Sequence, residues 1–136
     1  MEALIQILRE RNERVPRPLP RVTPDDIARA EVTFGRKLPP DYVQLQLGAG
    51  DVTFGPIEPA TLQPESGHTH IGSVIEGARA VGLPASLLPI CEDNGAYYCL
   101  APDGKVQYWL PTGPTNEEWA SLAEWVREVW LASGSG

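Results

Sequence analysis

The chain has 136 residues, of which 42% are hydrophobic and 21% charged, a balance that fits one soluble globular domain able to bury its own core and leaves no apolar run near the roughly 20 residues a membrane helix needs. The net charge of −7 is uneven: residues 1–21 hold five arginines against three glutamates, a local +2, which leaves −9 for the remainder. An acidic body repels phosphate backbones, which argues against direct nucleic-acid binding, and it attracts a basic partner.

In chain order, Ala3, Leu4, Ile7 and Leu8 recur at helical spacing and predict a first helix over 3–15. Its mixture of charges and apolar residues is not that of a secretory signal, so a cytoplasmic protein is expected. PRPLPR (16–21) stops the helix and acts as a stiff connector. Thr23-Pro24-Asp25-Asp26 then starts a second helix: Thr23 as N-cap, Pro24 in the first turn, two carboxylates at the positive end of the helix dipole, and Gly35 as the stop. Pro39-Pro40-Asp41 opens a third helix, expected to end at Gly48. Residues 51–58 read as a strand pair, or one strand broken at Gly55-Pro56, and 59–69 as a loop. SVIEGARAVG (73–82) reads as a helix with Val74, Ala78 and Val81 inward and Gly82 as stop.

Residues 88–110 hold both cysteines, three of the four tyrosines and an acidic pair. They read as a β-meander. A two-residue hairpin centred on Asp103-Gly104 would set Tyr97 against Leu110, Cys99 against Tyr108 and Ala101 against Val106 on one face, with Tyr98 against Trp109 and Leu100 against Gln107 on the other. The last element reads as a helix capped by Thr115, boxed by Glu118, with an apolar stripe of Trp119, Leu122, Val126, Val129 and Trp130. Residues 132–136 read as a flexible tail. Segregated helices and strands of this kind predict an α+β fold, an antiparallel β-sheet meander packed with N-terminal, middle and C-terminal helices.

No constellation of residues marks a catalytic or metal site. Glu92-Asp93 lie in a Gly-containing turn, where both carboxylates are solvated rather than set across a scissile bond. His68 and His70 form an HxH pair with no third ligand marked. Cys91 and Cys99 suit buried free thiols; a cross-strand disulfide is geometrically conceivable, and no base marks either as a nucleophile. Gly48, Gly50 and Gly55 lack the Gly-Lys-Ser/Thr of a phosphate loop, and there is no GxSxG elbow. No catalytic residue, metal or cofactor is therefore expected.

Two stretches carry a resemblance when taken together. TPDDIARAEVTFGRKLPPDYVQLQLGAG has a capped helix, Leu38-Pro39-x-Asp41-Tyr42 and a short glycine-ended helix. LLPICEDNGAYYCLAPDGKVQYW has an acidic-Gly turn, an Asp-Gly hairpin and two aromatic strands. Over residues 20–131 the order resembles the SUKH superfamily, which includes the Smi/Knr-like fungal cell-wall-assembly regulators and many bacterial relatives. Where such proteins often carry Asn-Gly after the third helix, this chain has Gly48-Ala49-Gly50. The resemblance implies a non-enzymatic domain, with Leu38, Pro39, Asp41 and Tyr42 structural. It also implies an immunity protein that binds and neutralises a cognate toxin domain, often a nuclease or deaminase. The partner-binding surface is expected at Asp51, Glu92, Asp93, Tyr98 and Trp109. A regulatory or scaffold adaptor is the alternative; a small enzyme or metal protein using His68, His70 or Glu92-Asp93 is a third. Oligomeric state is left open.

Overall fold

The computed structural model describes residues 1–134. Its helices are α1 (Glu2–Glu10), α2 (Pro24–Phe34), α3 (Pro40–Ala49) and α4 (Ile71–Ala80). Strands β1 (Leu88–Asp93), β2 (Ala96–Leu100), β3 (Val106–Leu110) and β4 (Gly113–Trp119) follow. The last helix opens as α5 (Leu122–Trp125) and widens into a π-helical turn over Val126–Leu131. The strands form one antiparallel sheet in the order β1-β2-β3-β4, the α+β meander expected from the sequence. Among the described residues no helix is long and apolar enough to cross a membrane.

The strongest local signals make α2. The Thr23 hydroxyl accepts from the Asp26 amide while the Asp26 carboxylate accepts from the Thr23 amide, so two otherwise orphaned donors are satisfied reciprocally. Gly35 closes the helix at φ +81, in the left-handed region glycine enters without penalty. Burial works to raise the Asp26 carboxyl, but hydrogen bonds from Thr23, and then Arg29, outweigh it and hold the group below its ordinary 3.8. A depressed carboxyl stabilises the fold above its unfolded value and ceases to do so as pH falls through the folded one. Asp26→Asn is therefore expected to cost about 1 kcal/mol at neutral pH, the usual size of a lost cap. It should also flatten the decline of melting temperature below pH 3.8; an acid limb identical to the parent's would rule out Asp26 as its source.

α1 is shorter than the predicted 3–15, and the strand expected over 51–58 does not form, for one shared reason. Past Glu10 the chain turns its polar groups to residues 53–55. The Asn12 side chain accepts from the Thr53 amide, the Glu13 amide donates to the Thr53 carbonyl, and the Glu13 carboxylate accepts from the Gly55 amide. Those bonds satisfy a backbone that would otherwise need a β ladder. α1 buries Leu4 and Leu8 and closes on α3 at Gly48, where a Cβ would lie 2.7 Å from Ile5 Cγ2. Gly48 is thus inside α3, as a contact point for α1, and not its stop.

Gly50 is tighter still. A Cβ there would lie 2.6 Å from the Gln46 carbonyl oxygen, the Gln46 Oε1 and Val22 Cγ2. Gly→Ala normally gains about 0.4–1 kcal/mol by restricting the unfolded chain. Here a helix carbonyl cannot step aside, and overpacking costs about 1–3 kcal/mol. Gly50→Ala is expected to lower stability by about 1–2 kcal/mol in urea unfolding; a gain would show that α3 relaxes around the methyl group.

The loop at 59–69 is pinned. Buried Gln46 donates to the Ala60 carbonyl and accepts from the Leu62 amide. The Ala60 amide donates to the Ile90 carbonyl at the outer edge of β1. Ala60, Thr61, Leu62 and Gln63 are buried as a result. α4 buries Val74 and Ala78 as predicted, but Val81 is 49% exposed, because α4 stops at Ala80 and Gly82 turns the chain at φ +92.

The β2–β3 register is one residue away from the two-residue hairpin. The Ala101 amide donates to the Lys105 carbonyl and the Gly104 amide to the Ala101 carbonyl, with Gly104 at φ +90. This is a three-residue loop: a turn with Pro102 in its second position, closed by a left-handed glycine. Tyr97 therefore pairs with Trp109, Tyr98 with Tyr108, Cys99 with Gln107 and Leu100 with Val106. A slip of one residue exchanges faces.

The start of the last helix also moves. Thr115 is in β4, its hydroxyl donating to the Tyr108 carbonyl and accepting from the Glu117 amide. The cap is Ser121, which accepts from the Glu124 amide, while the Glu124 carboxylate accepts from the Ala120 amide. Leu122, Val126 and Trp130 are buried as the stripe requires, whereas Trp119 belongs to the sheet. Of the tail expected to be flexible, 132–134 are placed: Ser133 donates to the Trp130 carbonyl, and Gly134 lies against the Phe54 ring. Ser135 and Gly136 lie outside the described residues.

Candidate partner-binding surface

The register decides which side chains meet. Cys91 pairs with Tyr98 and Tyr98 with Tyr108. By strand alternation, Asp93, two residues from Cys91, points to the same face. Tyr98 is the centre of an aromatic group there, 4.7 Å from the Tyr108 ring, 5.6 Å from Trp119 and 5.5 Å from Trp125 of α5. Trp125 supports it from within, and Tyr98, Tyr108 and Trp119 stay half-buried. Burial, then Tyr108 and the carboxylates Asp93 and Glu117 among other neighbours, pushes the Tyr98 hydroxyl up to about 12. Burial, then Asp93 and Glu117, raises Tyr108 in the same direction. Both hydroxyls are therefore protonated donors at neutral pH, set between two carboxylates. Among the described residues, neither Asp93, Glu117 nor Glu92 is in an ion pair.

The five residues expected to form one surface divide three ways. Asp93 and Tyr98 share the face just described. Glu92 and Trp109 belong to the opposite face with Tyr97. Glu92 accepts from the Gly95 amide at 2.7 Å and closes the Asn94-Gly95 turn, and the Trp109 indole donates to Gln107. Asp51 leaves the surface altogether. Its side chain is 7% exposed and is taken by Arg9 and Arg21, so it fastens α1 and the proline connector to the end of α3. Tyr108 and Glu117 lie on the face of Asp93 and Tyr98 but are not among the expected residues. The signal that finds them is Pro102 ahead of Asp103-Gly104, which selects the longer loop and the observed register.

The remaining chemistry-bearing side chains are engaged elsewhere. Cys91 and Cys99 are buried and free, and their register partners place them on opposite faces of the sheet. Burial pushes each thiol up to about 12, with Asp93, Glu92 and Glu58 adding to the effect at Cys91. His68 lies 2.9 Å from Glu58 on the surface, while His70 Nδ1 accepts from the Gly72 amide and caps α4. Among the described residues no group of three or more His, Cys, Asp or Glu side chains is placed to hold a metal ion. Glu58, Glu92, Asp93 and Asn94 line one open acidic cleft beside the β1–β2 turn.

Comparison with known proteins places the chain. Among curated proteins none matches it. A crystal structure of a protein from Pseudomonas syringae pv. tomato is similar throughout: 37% sequence identity and a TM-score of 0.92, covering 98% of this chain and 100% of that one. The family described as SUKH_5, SMI1-KNR4 cell-wall, matches residues 1–131. With the helix–meander–helix order now seen directly, and the family match running from α1 into the π-helical turn, the chain belongs to the SUKH_5 branch of the SMI1-KNR4 family.

Proposed function

We propose that this protein is a non-enzymatic immunity protein that neutralises a cognate bacterial toxin domain, of the basic, nucleic-acid-cleaving kind, by direct binding. The carrying observation is that protonated Tyr98 and Tyr108 share one face with the carboxylates of Asp93 and Glu117, neither of which is in an ion pair among the described residues. A surface made to hold phosphates presents arginine and lysine, and those groups bind carboxylates by charge-assisted hydrogen bonds and tyrosine faces by cation–π attraction. Tyrosine is also a frequent interface anchor. Family membership and the acidic body support the same reading, and the raised thiols support the non-enzymatic part of it.

The deciding experiment has two steps. The tagged protein is used to capture its partner from lysate of its source at low and high salt. The captured partner's toxin-like domain is then expressed in a test cell with and without this protein. Survival only in its presence, through a complex weakened by salt, is the expected result. Equal killing in both cells, with an active toxin and both proteins expressed, would refute the immunity role. A regulatory adaptor is the second reading, favoured by the cell-wall description of the matching family; several weak partners without a protecting effect would select it.

A further inference from the structure

Tyr42 of α3 and Trp125 of α5 are each 1% exposed. Their polar atoms, Tyr42 Oη and Trp125 Nε1, are buried with no protein hydrogen-bond partner among the described residues. Both side chains wall the same cavity, about 20 Å3 in volume, together with Leu45, Ile90, Leu122 and Trp130. Buried polar groups are costly when unpaired and are seldom left so. Two on one cavity are two independent indications of the same missing partner.

Protein groups do not supply it. The other polar side chains on that wall are Gln46, whose amide nitrogen is committed to the Ala60 carbonyl and whose oxygen accepts from the Leu62 amide, and Trp130, whose indole N–H is committed to the Phe54 carbonyl. An indole N–H only donates, whereas a phenol both donates and accepts. Burial, then the neighbouring Cys91, raises the Tyr42 hydroxyl above its ordinary value, so it keeps its proton. A cavity needs roughly 10–15 Å3 to admit one water. This one clears that threshold and is far too small for an organic ligand.

We propose that the cavity between α3 and α5 is a binding site for a single internal water, which accepts from the Trp125 indole N–H and hydrogen-bonds to the Tyr42 hydroxyl. The tyrosine that ends the Leu38-Pro39-x-Asp41-Tyr42 segment is thereby tied through solvent to the first turn of the last helix. The assignment is independent of the partner-binding role.

The test uses the whole chain. A crystal structure fine enough to show internal waters should contain one density peak within hydrogen-bond distance of both Tyr42 Oη and Trp125 Nε1. In solution, the Trp125 indole proton should show a magnetisation-transfer peak to a long-lived water, lost in Tyr42→Phe. The parent protein decides the matter even if that variant folds poorly. A dry cavity in crystals that show other buried waters would overturn the site, as would Tyr42 Oη bonded directly to a protein group or the absence of the water peak from the parent indole.

Discussion

Trp125→Ala is expected to remove about 3–5 kcal/mol of stability, the range for truncating a buried aromatic residue. The indole is 1% exposed, is tilted on Tyr98 at 5.5 Å and helps to wall the core cavity with Tyr42, Ile90 and Leu122. The loss has two sources, the transferred apolar area and the void left between α3 and the sheet. Since whole domains are stable by only about 5–15 kcal/mol, the variant should be close to unfolding at growth temperature. Urea unfolding is the measurement, with the midpoint falling while the slope is unchanged. A loss under about 1 kcal/mol would mean that α5 collapses into the space, so that the helix is held elsewhere. Trp125→Phe should cost less, because most of the ring contact with Tyr98 survives.

The second large effect concerns binding. Reversing two charges together, Asp93→Lys with Glu117→Lys, should weaken the complex with the captured partner about 100-fold or more. Like charges brought together at an interface cost several kcal/mol, and each 1.4 kcal/mol is tenfold. Stability should change little, by about 0.5 kcal/mol or less, because neither carboxylate is in an ion pair. The double variant carries its own spectroscopic control. Both carboxylates raise the Tyr98 and Tyr108 hydroxyls, so their removal should bring tyrosinate absorbance to lower pH. If that shift occurs while affinity is unchanged, the partner binds some other face and the surface assignment fails.

The elements legible in the sequence were those specified within a few residues. α2 is the clearest, since Thr23, Pro24, Asp26 and Gly35 each act on their own backbone. The meander was legible as strands, because its turns carry Asn94-Gly95 and Asp103-Gly104. Its register is legible only when Pro102 is read together with Asp103-Gly104: the dipeptide closes either a two- or a three-residue loop, and the longer one puts Trp109 on the face opposite Tyr98. The beginning of the last helix was misread because Thr115-x-x-Glu118 and Ser121-x-x-Glu124 are equally good boxes, and only the open edge of β3, a tertiary feature, assigns the first to a strand. Asp51 reads as a surface charge because nothing local shows that Arg9, 42 residues away in sequence, will cover it.

The widened turn at Val126–Leu131 sets the phase of the C-terminal end. An α-helix advances about 100° per residue; a π turn absorbs one residue more before the ladder resumes. Trp130 and Leu131, the last two residues of the turn, are buried at 3% and 7% exposure while Val129 is half-buried, and the Trp130 indole N–H donates to the Phe54 carbonyl 3.1 Å away. Arg127 and Glu128, both exposed on the turn and in no ion pair among the described residues, should accept many replacements. Neither should accept deletion. One residue fewer would let the turn close to an α-helix and carry the indole away from its acceptor by about 100°. In this stretch the number of residues is under tighter constraint than their identity.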